Sequence, residues 1–184
     1  MKTRHTRVTP GDVVLLVGTT KGLFLLRASA PRRRWDLGGP YHAGNAVYAA
    51  ALDARAGRRR LWAGVASMHW GAVLARSDDW GRTWDEPAEA NVRFPADSGL
   101  SLKQVWQITP GRPEEPDRLF AGVEPAALFE STDAGATWAP VKGLLDHPHR
   151  ERWTPGGGGL CLHTIVPDPT NRERMWIAIS TGGV

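Results

Sequence analysis

The eight residues 77–84, S-D-D-W-G-R-T-W, return at 131–138 as S-T-D-A-G-A-T-W, and both copies fit the pattern S/T-x-D-x-G-x-T-W. Each position has a mechanical role. Asp79 and Asp133 carry carboxylates short enough to accept hydrogen bonds from backbone N–H groups of their own turn, while Gly81 and Gly135 supply a positive φ that a side chain resists. The hydroxyls of Ser77, Thr83, Ser131 and Thr137 close the same loop from both sides. Trp84 and Trp138 then open the next strand with a large apolar body to bury. The motif reads as a self-bonded hairpin turn and not as a reaction centre.

The repeat is wider than the turn. An apolar strand precedes each copy, L-W-A-G-V from Leu61 and L-F-A-G-V from Leu119, and two relatives, L-L-V-G-T from Leu15 and M-W-I-A-I from Met175, extend the series. That period lies near the roughly 40 to 50 residues of a four-stranded propeller blade. With strands lettered A to D outward from the axis, the first blade has B at 13–18 and C at 23–27 and lacks an A. The second has A at 46–52, B at 60–65, C at 72–77 and D from 83. The third has A at 104–109, B at 118–123, C at 127–131 and D from 137, and the fourth has A at 161–166 and B at 174–180.

The expected fold is therefore all-β, a β-propeller of antiparallel four-stranded blades over 13–42, 43–95, 103–146 and 160–184, with a flexible N-terminus at 1–10. A ring needs roughly four to eight whole blades. The sequence, about three and a half blades, stops where a further C strand and turn are due, so it is expected to be the N-terminal part of a longer protein or the product of a truncated gene.

Composition agrees with short strands and tight turns: 21 glycines, 14 prolines and 9 tryptophans in 184 residues,. The single cysteine, Cys161, excludes an internal disulfide framework and reads as a small buried side chain,. The apolar run 13–17 is too short for a signal peptide or a membrane span, which makes the cytoplasm the expected compartment. The net charge of +4 owes much to arginine runs at 32–34 and 58–60. These fall at turns without interleaved aromatics, so solvated loop charge is expected and nucleic-acid binding is not.

The two motif copies resemble the Asp-box, or BNR repeat, of sialidases, related glycoside hydrolases and many non-enzymatic propellers. The segments around S-L-K-Q-V-W-Q-I, A-G-V-E-P and G-G-G-G-L-C-L-H are similar to bacterial BNR-repeat proteins labelled glycosyl hydrolase or exo-α-sialidase on their repeats. The resemblance implies that the boxes lie on the face away from the ligand site. It does not extend to sialidase chemistry. The Y/F-R-I-P segment that brings the first substrate-binding arginine is missing, and the two tyrosines, Tyr41 and Tyr48, precede the first clear box although that family's nucleophile comes late.

Strand order then selects a rim. The D-to-A connections (36–45, 85–103 and 139–160) share one rim with the B-to-C connections (66–71, 124–126 and 180–183), and in propellers that rim takes ligands. On it fall His42, His69, Trp70, His147, His149, Arg150, Arg152 and Trp153, with His163 at the start of an innermost strand. These are the expected ligand-binding residues. The A-to-B connections look plain. Other Asp-box hydrolases use two carboxylates, one as acid and one as base or nucleophile, and Asp97 and Glu124 are the candidate pair, with Asp146 a third choice. Tyr48 and Trp106, on inner strands, are expected in the core. No metal and no cofactor is implied. The functional expectation is a glycan or similar ligand on this rim, with glycoside hydrolysis open. The alternative is a non-catalytic scaffold for protein assembly.

Overall fold

The structure is a computed structural model that describes residues 3–67, 71–85, 87 and 91–180. It is all-β, built from four separate antiparallel sheets, none of them closed. The first holds β1 (Val13–Thr19), β2 (Gly22–Ala28) and β3 (Asp36–Tyr41); the second β4 (Ala46–Asp53), β5 (Arg60–Ser67) and β6 (Gly71–Ser77). The third runs β7 (Gln104–Pro110), β8 (Leu119–Glu124), β9 (Ala127–Ser131) and β10 (Ala139–Pro140), and the fourth pairs β11 (Leu162–Pro167) with β12 (Met175–Ile179). One short helix, α1 (Lys142–Leu145), follows β10. Among the described residues no helix is long and apolar enough to cross a membrane.

The sheets stack through their first strands, β4 against β7 and β7 against β11. Close packing explains the glycine in each L-x-A-G-V strand. A Cβ on Gly64 would come within 3.0 Å of Val105 Cβ in the next sheet, and one on Gly122 within 2.4 Å of the Leu162 carbonyl oxygen. Gly18 of β1 meets the Val47 carbonyl in the same way, at 2.4 Å. The strand β1 thus occupies the place of β5 and β8, and no described strand lies inside it. Its free edge leaves Leu15 and Val17 exposed.

Two stretches assigned to connections are strands, the shorter being residues 139–140, which form β10 against β9. Residues 36–41, assigned to a connection, form β3, whose partner β2 supplies the hydrogen-bonding edge they complete. Ahead of β1, Arg4 pairs with Gly39, Thr6 is buried, and the His5 ring lies 5.8 Å from Tyr41.

The motif turns bond as their residue types require. Ser77 Oγ donates to Asp79 Oδ1 at 2.9 Å and accepts from the Gly81 N–H at 2.8 Å, while Thr83 donates its N–H and hydroxyl to Asp79. Ser131, Asp133, Gly135 and Thr137 repeat the pattern. These bonds hold the Asp133 carboxyl down to about 2, the Thr137 hydroxyl contributing most,. At Asp79 burial pushes upward, but the bonds from Thr83 and Ser77 outweigh it and the pKa is lowered.

Each turn also grips the preceding sheet. The Trp138 ring stands edge-on to Trp62, centroids 6.4 Å apart, and Trp84 lies 5.9 Å from Tyr41. A second inter-sheet tie is Arg55, which bonds the buried Asp53 carboxylate and donates from Nη1 to the carbonyls of Arg112, Glu115 and Arg118.

Candidate functional site

Three inner strands share one irregularity. In β4 the register with β5 skips Tyr48, between the pairs Val47–Val65 and Ala49–Gly64. In β7 it skips Trp106, between Val105–Val123 and Gln107–Gly122, and in β11 it skips His163, between Leu162–Ile179 and Thr164–Ala178. An extra residue in one strand bends the backbone and re-aims its side chain. All three bulges lie near the start of an inner strand, at the end of the sheets where Glu124 closes β8.

The result is a patch on the rim selected from strand order. Tyr48 is 49% exposed, and its ring lies 5.3 Å from that of Trp106, tilted by 55°. The expectation that these two rings pack in the core is corrected at Tyr48, which the bulge turns out to solvent, while Trp106 stays half-buried beside it. The Trp106 indole N–H donates to Glu124 Oε2 at 3.2 Å, and Lys103 Nζ stands 3.8 Å from Glu124 Oε1. The glycine run 156–159 passes so close that a Cβ on Gly159 would reach within 2.5 Å of Glu124 Oε1. Cys161 and Ser180 anchor that run. The Ser180 hydroxyl donates to the Gly159 carbonyl at 2.5 Å, and the buried Cys161 Sγ sits 3.2 Å from Ser180 Oγ. His163 is exposed, with Nδ1 at 2.9 Å from the Thr164 hydroxyl.

Beside the patch lies a groove of about 640 Å³ lined by Asp97, Ser98, Lys142, Asp146 and Arg150, among others. Arg150 joins the two regions. It donates to the Ala126 carbonyl, two residues beyond Glu124, at 2.6 Å. Burial pulls its guanidinium below the ordinary value, against the countering charge of Asp146. Its guanidinium also lies 5.8 Å from the Trp153 ring, which stacks on His147 at 5.4 Å. His147 and His149 stand 5.2 Å apart, and among the described residues no group of three metal-ligating side chains forms around them.

The candidate residues therefore divide. Glu124 belongs to the patch and His163 stands exposed at the corresponding bulge of the next sheet, Asp97 and Arg150 line the groove, and His147, His149 and Trp153 lie in the loop beyond it, where Arg152 is exposed. His42 goes elsewhere: its ring meets Trp84 edge-on at 4.4 Å, a packing position between sheets. His69 and Trp70 lie outside the described residues. Asp97 and Glu124 have different surroundings, the first in the groove with Asp146, the second against Trp106.

No family model and no curated protein matches the chain. Among solved structures it resembles the GH74 xyloglucanase from Xanthomonas campestris, with a TM-score of 0.54 at 21% identity over 92% of this chain and 25% of that one. At that identity the likeness is one of fold, a propeller-like all-β arrangement. The chain spans about a quarter of that protein's length.

Proposed function

We propose that the chain is part of an Asp-box propeller of four-stranded blades, and that it binds a glycan at Tyr48, Trp106 and Glu124, with His163 at the bulge of the next sheet. The observation that carries this reading is the step formed by exposed Tyr48 and half-buried Trp106, with the Glu124 carboxylate fixed at its side. Aromatic faces bury the C–H face of a sugar ring, and a carboxylate held in place accepts from its hydroxyls. The groove lined by Asp97, Lys142, Asp146 and Arg150 extends the site with charged groups. The resemblance to a glycoside hydrolase in fold accords with a saccharide ligand, although fold alone does not assign one,.

Binding is tested by calorimetry with a panel of neutral and acidic oligosaccharides. A saccharide that binds the wild type should bind Trp106→Ala roughly fivefold to tenfold more weakly, the scale of a lost aromatic contact. Absence of binding across the panel refutes the reading.

Within the same reading, Asp97 and Glu124 are the carboxylates for glycoside hydrolysis, one a proton donor and the other a base or nucleophile. Asp97→Asn and Glu124→Gln should each abolish release of a chromogenic aglycone with the fold intact, and full activity in both variants removes the assignment. A second reading, a scaffold for protein assembly, draws on the exposed Leu15 and Val17 of edge strand β1,. It predicts a partner whose capture Leu15→Lys prevents and Trp106→Ala does not.

A further inference from the structure

The first motif turn borders a second surface with a different chemistry. A groove of about 700 Å³ runs between the N-terminal segment, the β4–β5 connection and the turn after β6, and its lining includes Arg7, Arg59 and Arg82. These come from three separate stretches of chain, and all are exposed. None of their guanidinium groups has a partner among the described residues.

Their neighbours are all engaged. Arg58 is tied to Asp117 and to the Pro116 carbonyl, Arg60 to Asp78 and the Ala134 carbonyl, and Arg76 to Asp85 and Asp78. The two carboxylates that line the groove are spent as well, Asp78 on Arg60 and Asp79 on its own turn. Three cations that line this one concavity are thus left without partners among the described residues.

We infer that this groove binds a tetrahedral oxyanion, phosphate or sulfate, either free or as an ester on a saccharide. A guanidinium presents parallel N–H donors that match two oxygens of such a group, and the group's remaining oxygens accept from further arginines, which a carboxylate with only two oxygens does not offer. Exposure keeps the ligand within reach of solvent and makes binding weaken as salt rises. This inference does not rest on the glycan reading of the opposite rim. It also revises the view of the β4–β5 connection as plain loop charge, since only Arg59 of its arginine run is left free.

The test is a calorimetric titration of the whole chain with four probes: sodium phosphate, sodium sulfate, a heparin hexasaccharide and a single-stranded oligonucleotide. It is repeated on Arg7→Gln/Arg59→Gln/Arg82→Gln, on each single variant, and on Arg33→Gln, an exposed arginine away from the groove. Unchanged circular dichroism establishes that the variants fold. The triple variant should lose about tenfold in affinity for the bound probe, as expected for screened surface charges, and Arg33→Gln should match wild type. Tighter binding of the hexasaccharide than of the free ions assigns the ester source, and equal binding the free ion. Failure of every probe to bind, retention of affinity in the triple variant, an equal loss in Arg33→Gln, or preference for the oligonucleotide would each overturn the inference.

Discussion

Replacing Gly135 by alanine tests whether the motif is a clamp between sheets. The residue has φ +86°, and an added Cβ would stand 2.2 Å from Trp62 Cη2 and 2.8 Å from Cζ2. Left-handed backbone costs a residue with a side chain about 1 to 3 kcal/mol. The overlap adds about 1 to 3 kcal/mol, because Trp62 is 1% exposed and has Trp138 edge-on beside it,. Together these give a loss of about 2 to 6 kcal/mol, a large part of the roughly 5 to 15 kcal/mol that holds a domain folded.

A matched control is Gly143→Ala in α1, where the Cβ meets nothing within 4 Å and φ is not in the left-handed range. That change should stabilise by about 0.4 to 1 kcal/mol. Urea unfolding followed by circular dichroism measures both. In a Trp62→Leu background the steric share of the Gly135 penalty should vanish and the backbone share remain, a coupling that a double-mutant cycle reads directly. A Gly135→Ala variant within about 0.5 kcal/mol of wild type, the scatter of neutral surface changes, would refute the clamp.

Arg55→Ala should lower stability by about 3 to 5 kcal/mol in the same assay, since it strands the buried Asp53 carboxylate and frees three carbonyls of the next sheet,. Removing Asp53 as well, in Asp53→Ala/Arg55→Ala, should recover part of that loss. The folded pKa of Asp133, about 2, lies below the roughly 3.9 of an unfolded aspartate, so its stabilisation is present above about pH 4 and is lost as pH falls toward 2,. Asp79, also lowered, adds to the same acid-side loss. Melting temperatures across pH 2 to 5 should flatten in Asp133→Asn, and an unchanged slope would contradict the bonding at that turn.

The sequence carried strand order well, because turns and strands obey local rules. The Ser-Asp-Gly-Thr spacing already specifies the turn's hydrogen bonds, and the glycine of each L-x-A-G-V strand marks where the next sheet comes close. The strand β9 (Ala127–Ser131) coincides with its expected bounds, and β4 and β7 differ from theirs by a residue at the far end. What depends on register was less legible. Tyr48 and Trp106 alternate with apolar neighbours as core residues do, and only the skipped pairings opposite Gly64 and Gly122 reveal that Tyr48 turns outward with Trp106 half-buried beside it. A signal existed in the recurring placement of Tyr48, Trp106 and His163 one residue after Val47, Val105 and Leu162. The position of His42 could not be read, because it depends on how Trp84 of a neighbouring sheet lies. Partnering of charges is also non-local: Arg59 stands between Arg58 and Arg60 in the chain, and only the fold separates the free one from the two tied ones.

The central proposal is that a saccharide is taken at the bulged ends of the inner strands. The nine tryptophans make this directly visible, since each indole N–H gives its own nitrogen–proton NMR signal. The signal of Trp106, identified by its loss in Trp106→Phe, should shift on titration with a bound oligosaccharide, while those of Trp84 and Trp138 stay still. Movement of Trp84 and Trp138 with Trp106 unmoved would contradict the account.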